Sequence, residues 1–321
     1  MPRAASAEAQ AIIAHPNPAA AMPLPDPQDL DAWRALVQAV SAQTDDATVT
    51  ALACATTGAV RSDGRATSEE RVDGDARWFV ATPEGYAGGD RAFFVVHGGS
   101  FVHGGGPVAR KAAELLASYL GMPVWSCDYR MPPDHHFPAG LDDVVTAYSR
   151  LLDEYAPSSI VAGGTSAGGN IVAALIHRAH EAGLTLPAAL VLHTPVVDLE
   201  MLGDTWQTLT GLDPSLATAI RMSQLYAGEA NFRNPHASPL HGPVDYFPPT
   251  LLISGTRDPV LSDTVRMHRK LLAAGVEADL VLTEGEPHGG YFGSAPEDFA
   301  RMEIVKDFVE GNLGVEHSAR P

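Results

Sequence analysis

The run Gly164-Thr165-Ser166-Ala167-Gly168 follows a short apolar stretch, Ile160–Ala162, and opens a helical pattern over Ala167–Ala182. A serine hydroxyl is a poor nucleophile unless it is held exposed beside a base. A sharp strand-to-helix turn does this by forcing the serine into a strained backbone conformation, and glycines two before and two after let strand and helix approach without Cβ clashes. His97-Gly98-Gly99-Ser100-Phe101 ends another apolar stretch, Ala92–Val96, and presents unhindered backbone N–H groups to a carbonyl oxygen. Gly98 and Gly99 are the expected donors of an oxyanion hole, and the amide of Ala167, directly after the serine and at a helix N-terminus, is the third. His103-Gly104-Gly105-Gly106 has a similar composition but lies past the strand end, so no such role is given to it.

A serine so placed needs an acid and a base, which follow it in that chain order on loops after late strands. Gly255-Thr256-Arg257-Asp258-Pro259 comes after Leu251–Ser254, and Glu284-Gly285-Glu286-Pro287-His288-Gly289 comes after Leu280–Thr283. Asp258 and His288 therefore complete the candidate set. Asp263 and His268 fall inside a helical pattern, and His317 falls in the tail. His177 and His180 are three apart on a helix without a third ligand nearby, and are read as a solvated face. No cofactor is expected, because no metal spacing and no glycine-rich phosphate loop followed by lysine is present.

The elements that must position these residues are short apolar runs alternating with helical patterns. Thr67–Val72 and Ala76–Ala81 flank the hairpin dipeptide Asp73-Gly74; then come Ala92–Val96, Pro123–Cys127, Ile160–Ala162, Leu190–His193, Thr250–Ser254 and Ala278–Thr283. Runs of this length without clean alternation predict strands buried on both faces of a mainly parallel sheet. Helical patterns cover Ala109–Leu120, Leu141–Tyr155, Ala167–Ala182, Leu261–Ala274 and Glu297–Asn312, with Gly121, Gly183, Gly275 and Gly314 at or just past their ends. More than 50 residues separate the strand ending near His193 from the one starting near Thr250, with a helical pattern at Leu216–Tyr226, so this interval is read as an inserted subdomain. Residues 1–28 read as a mobile arm, and Asp29–Val40 as an amphipathic helix with Leu30, Trp33, Leu36, Val37 and Val40 on one face.

The chain has 321 residues, with 21 Lys+Arg against 39 Asp+Glu, a net charge of −18 that would repel a phosphate backbone. No apolar run is long enough to span a bilayer, and the first 30 residues hold no signal-type apolar core, so a cytoplasmic location without nucleic-acid or membrane partners is expected. Cys54 and Cys127 are read as unpaired thiols.

Taken in order, His97-Gly98-Gly99, the segment Asp128-Tyr129-Arg130-Met131-Pro132-Pro133-Asp134-His135-His136-Phe137-Pro138-Ala139, Gly164-Thr165-Ser166-Ala167-Gly168-Gly169-Asn170, Asp258-Pro259-Val260 and His288 resemble the hormone-sensitive-lipase family of α/β-hydrolase esterases, in its branch with Thr before the serine. The likeness covers about residues 65–312; it departs from the family at Ser100, where a third glycine is usual, and at Met131-Pro132. The resemblance implies an α/β-hydrolase fold: a mostly parallel eight-stranded sheet flanked by helices, with residues 51–198 and 246–314 forming the catalytic domain. A helical cap would come from the arm and helix of 1–50 and from the insertion 199–245, and 315–321 would be a tail. It further implies a serine carboxylic-ester hydrolase acting on a small-molecule ester, with a two-fold dimer through the last strand. A lactone or amide hydrolase, or a ligand receptor on the same scaffold, are the alternatives. Phe101, Trp206, Leu209 and Leu225 are the expected pocket residues.

Overall fold

The computed structural model describes residues 4–14, 24–26, 28–41, 45–209, 212 and 219–314. Most of the proline-rich stretch Pro16 to Pro27, the start of the helical pattern at Leu216 and the tail 315–321 lie outside these residues. Eight strands form one sheet: β1 (Ala66–Asp73), β2 (Ala76–Pro83), β3 (Ala92–Val96), β4 (Val124–Cys127), β5 (Ile160–Thr165), β6 (Ala189–His193), β7 (Thr250–Gly255) and β8 (Ala278–Thr283). Their spatial order is β1-β2-β4-β3-β5-β6-β7-β8. β1 and β2 pair antiparallel across a two-residue turn, Gly74-Asp75, one position later than the expected dipeptide because Asp73 still pairs with Ala76; β2 meets β4 antiparallel, and every later pairing is parallel.

The central strands are buried along their whole length, β3 and β5 included, as unbroken apolar runs in a parallel sheet require. Helices cover both faces: α4 (Pro107–Leu120), α5 (Ala139–Leu152), α6 (Ala167–Glu181), α9 (Leu261–Ala273) and α10 (Pro296–Asn312). After β3 the chain goes to β4 on one side and returns to β5 on the other, so β3 and β5 flank a switch point. Ligands bind in the crevice at the carboxyl ends of such strands. Val96 pairs with Gly164, which brings the loops after β3 and β5 side by side. Cys127 and Cys54 are buried free thiols.

Among the described residues, three helices precede the sheet. α2 (Leu30–Ser41) matches the expected amphipathic pattern. α1 (Ala7–Ala14) corrects the reading of an arm mobile throughout: Ala5 and Ala9 pack on Tyr291 and Ala295, and Ser6 donates its N–H and hydroxyl to the Glu297 carboxylate at 2.6 and 2.7 Å. α3 (Asp46–Thr57) was not anticipated; Asp45 caps it by accepting the Thr48 N–H at 2.9 Å, and Gly58 closes it at φ 71°. The insertion between β6 and β7 carries α7 (Asp204–Thr208) and α8 (Ala219–Ala227). Trp33 of α2, Leu225 of α8 and Val102 of the loop after β3 form a small core of their own, joined by Leu30, Leu36 and Met222. No helix among the described residues is long and apolar enough to cross a membrane.

Trp33 is fully buried and its indole N–H donates to the Asp26 carbonyl at 3.0 Å. Trp33→Ala should therefore destabilise the cap cluster by about 3–5 kcal/mol, the usual cost of emptying an aromatic site. Limited proteolysis should then cut within residues 24–41 faster than elsewhere; an unchanged cleavage pattern and denaturation midpoint would show that this cluster holds nothing.

Candidate active site

The sharp turn at Ser166 is enforced by backbone packing. Ser166 sits at φ 56° and ψ −118°, a region a non-glycine residue occupies only under strain. A Cβ on Gly168 would lie 2.0 Å from the Val96 carbonyl oxygen, and one on Gly164 would lie 2.4 Å from the Gly168 backbone. Strand, turn and helix can therefore close only with glycine at both positions. The Ser166 N–H donates to the His193 carbonyl at 2.9 Å, which fixes the turn to the end of β6.

Ser166, Asp258 and His288, which stand far apart in the chain, converge here. Ser166 Oγ lies 2.8 Å from His288 Nε2, and His288 Nδ1–H donates to Asp258 Oδ1 at 2.9 Å. Asp258 is completely buried and its carboxylate is held from two further directions: Ser254 Oγ donates to Oδ2 at 2.7 Å and the Val260 N–H to Oδ1 at 2.9 Å. A hydroxyl, an imidazole and a buried carboxylate are thus in hydrogen-bonded sequence, an arrangement that can serve acyl transfer.

The loop after β3 corrects one expectation. The Gly98 N–H donates to the Thr56 carbonyl at 2.6 Å, so it braces the loop against the end of α3 and is spent as a donor. The N–H groups of Gly99, Ser100 and Ala167 donate to no described residue. Gly99 has φ 107°, and a Cβ there would lie 2.1 Å from the His103 carbonyl oxygen. Ser100 and Phe101 follow at φ 53° and 66°, so the loop stays left-handed without the family's third glycine.

Of the four expected pocket residues, Trp206, Leu209 and Leu225 lie in the insertion and Phe101 in the loop after β3. Phe101 stacks on Tyr226 with ring centroids 3.9 Å apart. Leu225 is buried against Trp33 and Val102, and Leu209 is half-buried. Trp206 is buried and its indole N–H donates to Asp263 Oδ1 at 3.2 Å. Asn170, at the end of the serine motif, ties α6 to the insertion by donating to the Val196 and Ala237 carbonyls at 2.7 and 2.8 Å. In the Asp128–Ala139 segment Arg130 clasps Asp143 at 2.8 Å and Asp128 accepts the Gly106 N–H at 2.9 Å. That stretch braces the fold around the site.

Histidine 177 is buried, contrary to the solvated face expected. Its Nε2 lies 3.1 Å from the Pro239 carbonyl and its Nδ1 2.6 Å from Tyr246 Oη, both from the insertion's exit. Asp198, Glu200 and His241 bring ligand atoms within 4.8 Å of one another. Arg266 already pairs with Asp198 at 2.7 Å and Arg233 with Glu200 at 2.9 Å, so the group is neutralised by guanidinium ions.

Residues 93–292 match the model of the alpha/beta hydrolase fold family. An acetyl-hydrolase of Streptomyces hygroscopicus is 33% identical over 188 residues, 58% of this chain and 63% of that protein, so the match spans under two thirds of that relative's length. The esterase LipU of Mycobacterium tuberculosis is 31% identical over 242 residues, 70% of this chain and 79% of that one. A crystallised esterase superposes with a TM-score of 0.82 at 33% identity, covering 96% of this chain and 94% of its own. An esterase of the bacterial hormone-sensitive lipase family superposes at 0.79 and 28% identity, covering 97% and 100%. The chain belongs to the α/β-hydrolase family, and within it to the hormone-sensitive-lipase-like esterases.

Asp263, the rival acid, is buried on α9 and accepts the Asp198 N–H as well as the Trp206 indole. Burial, then the adjoining Asp198 carboxylate, push its carboxyl up to about 7. The folded chain therefore keeps a proton there that the unfolded chain releases near pH 4, so this group's contribution to stability falls as pH rises from about 4 to about 7. Asp263→Asn should gain stability relative to the parent between pH 5 and pH 8, measured as urea midpoints; a difference independent of pH would contradict the raised carboxyl.

Proposed function

We propose that this chain is a serine carboxylesterase in which Ser166 attacks the ester carbonyl of a small-molecule substrate. The carrying observation is the unbroken line from Ser166 Oγ through the His288 imidazole to the buried Asp258 carboxylate. His288 Nε2 takes the serine proton as the tetrahedral adduct forms and returns it to the departing alcohol. Asp258 holds Nδ1–H in place, keeps the right tautomer and offsets the charge of the imidazolium. The Gly99 and Ala167 N–H groups hold the oxyanion, with Gly98 bracing the loop that carries Gly99. Water, deprotonated by His288, then cleaves the acyl-enzyme and releases the carboxylic acid with free serine.

Ser166→Ala should keep the fold and lose ester turnover and fluorophosphonate labelling together. Turnover above a few per cent of the parent's would remove Ser166 from the mechanism.

The cap supports a preference for short acyl groups. The cluster of Trp33, Val102 and Leu225 and the Phe101–Tyr226 stack pack apolar groups of the cap against the loop after β3, bulk that would limit the length of an acyl chain. Each methylene that fits adds about 0.8 kcal/mol of burial, so rates should rise with acyl length over roughly C2 to C8 and then fall. A p-nitrophenyl ester series measures this, and faster hydrolysis of the palmitate than of the butyrate would sink the short-chain reading.

β8 supports a homodimer. It lies at the sheet edge with Leu282 45% exposed, and an open apolar edge is a template for a second strand. Light scattering should give twice the 33.8 kDa of one chain, and a monomer at micromolar concentration would exclude this pairing.

A further inference from the structure

Beneath the proposed triad lies a group of charges that the reaction scheme does not use. Arg301 of α10 is 3% exposed, and Glu286 and Asp298 are completely buried. Arg301 Nη1 donates to Glu286 Oε1 at 2.7 Å and to Asp298 Oδ1 at 3.0 Å, while Nη2 donates to the Gly58 carbonyl at 3.1 Å. Burial alone would raise the Glu286 carboxyl, yet Arg301, then His193, hold it down to about 2. It is therefore an anion deep in the protein, a state that needs a bound cation.

Every loop of the proposed site is fastened to this group. Glu286 stands two residues before His288, and its own carbonyl accepts the N–H of Arg257, the neighbour of Asp258, at 3.2 Å. Asp298 holds the chain just past His288, accepting the N–H groups of Tyr291, Ser294 and Ala295 at 3.0, 3.0 and 3.3 Å. Gly58 ends α3, and two residues earlier the Thr56 carbonyl accepts the Gly98 N–H of the oxyanion loop. His193 Nε2 lies 3.4 Å from Glu286 Oε1, and the His193 carbonyl accepts the Ser166 N–H. Burial, then the Arg301 charge, keep the His193 ring below its ordinary titration range, so it stays neutral and donates Nε2–H to the carboxylate.

We infer that Arg301 and Glu286 are a buried positioning pair that sets the base loop, the acid loop and the oxyanion loop in register with Ser166. This rests on the reading of Ser166, His288 and Asp258 as the ester-cleaving triad. Neither residue touches the reacting atoms. Their action runs through the backbone they hold, and a displacement of about 1 Å in such a site can cost about 10²-fold in rate.

The experiment compares full-length parent, Glu286→Gln and Arg301→Lys. Glu286→Gln keeps the side-chain shape and the backbone bond to Arg257 but removes the anion. Arg301→Lys keeps the charge but cannot span Glu286, Asp298 and Gly58 at once. Active sites are counted by fluorophosphonate titration, so an unfolded fraction does not enter kcat. Both variants should lose about 10- to 100-fold in kcat per active site towards p-nitrophenyl butyrate with KM within about twofold, and their phosphonylation rate constants should fall in parallel. Per-site kcat within about twofold of the parent in a folded variant would overturn the pair. If Arg301→Lys does not fold, Glu286→Gln decides alone, since its amide still accepts from Arg301. A parent that fluorophosphonate does not label would refute the esterase reading instead, which keeps the two failures distinct.

Discussion

The turn at Ser166 exists because the Val96 carbonyl oxygen and the Gly168 backbone occupy the same small space. Only glycine permits that approach, and only the approach holds the serine at φ 56° above the sheet. Much else follows from this contact. β3 and β5 must pair in the register that sets Val96 beside Gly164, which aligns the loop carrying Gly99 with the amide of Ala167. β6 must end where the His193 carbonyl can take the Ser166 N–H. The strain at one residue is carried by packing of the whole central sheet, whose strands are buried on both faces.

Charge is arranged around this frame with economy. Asp258 is buried with three donors on its oxygens, so its carboxyl is held in one orientation opposite His288. Glu286 and Asp298 share one guanidinium, while the second buried pair, Asp198 and Asp263, shares Arg266 less evenly, at 2.7 and 3.8 Å. The difference shows in the carboxyls: Glu286 is held down to about 2 and Asp263 is pushed up to about 7. Two carboxylates on neighbouring loops and helices thus serve different ends, one as a fixed anion and the other as a cap anchor beneath Trp206.

The cap is assembled from segments nearly 200 residues apart in the chain, and its core is a handful of side chains around Trp33 and Leu225. Val102, directly after the left-handed pair Ser100 and Phe101, belongs to that same core. The cap therefore contacts the loop after β3, and its packing is coupled to the conformation of that loop.

Local features were legible from the residues alone. The glycines around Ser166, the turn glycine Gly74, the helix-ending Gly121 and the buried apolar strands each depend on steric rules that act over a few positions. α3 escaped because its Ala- and Thr-rich run, Asp46–Thr57, has little apolar periodicity, although the Asp45 cap was a usable signal. His177 was misplaced because its helix is apolar on nearly every side, a pattern of full burial that the two histidines masked. Tertiary structure alone decided that the Gly98 N–H is consumed by Thr56, and that Glu286 and Arg301 meet in the interior. Hydrogen bonds and ion pairs between distant residues leave no period or spacing in a sequence. Their partners are chosen by which surfaces the packed sheet and helices bring together, and the cost of an unpaired buried charge then makes that choice strict.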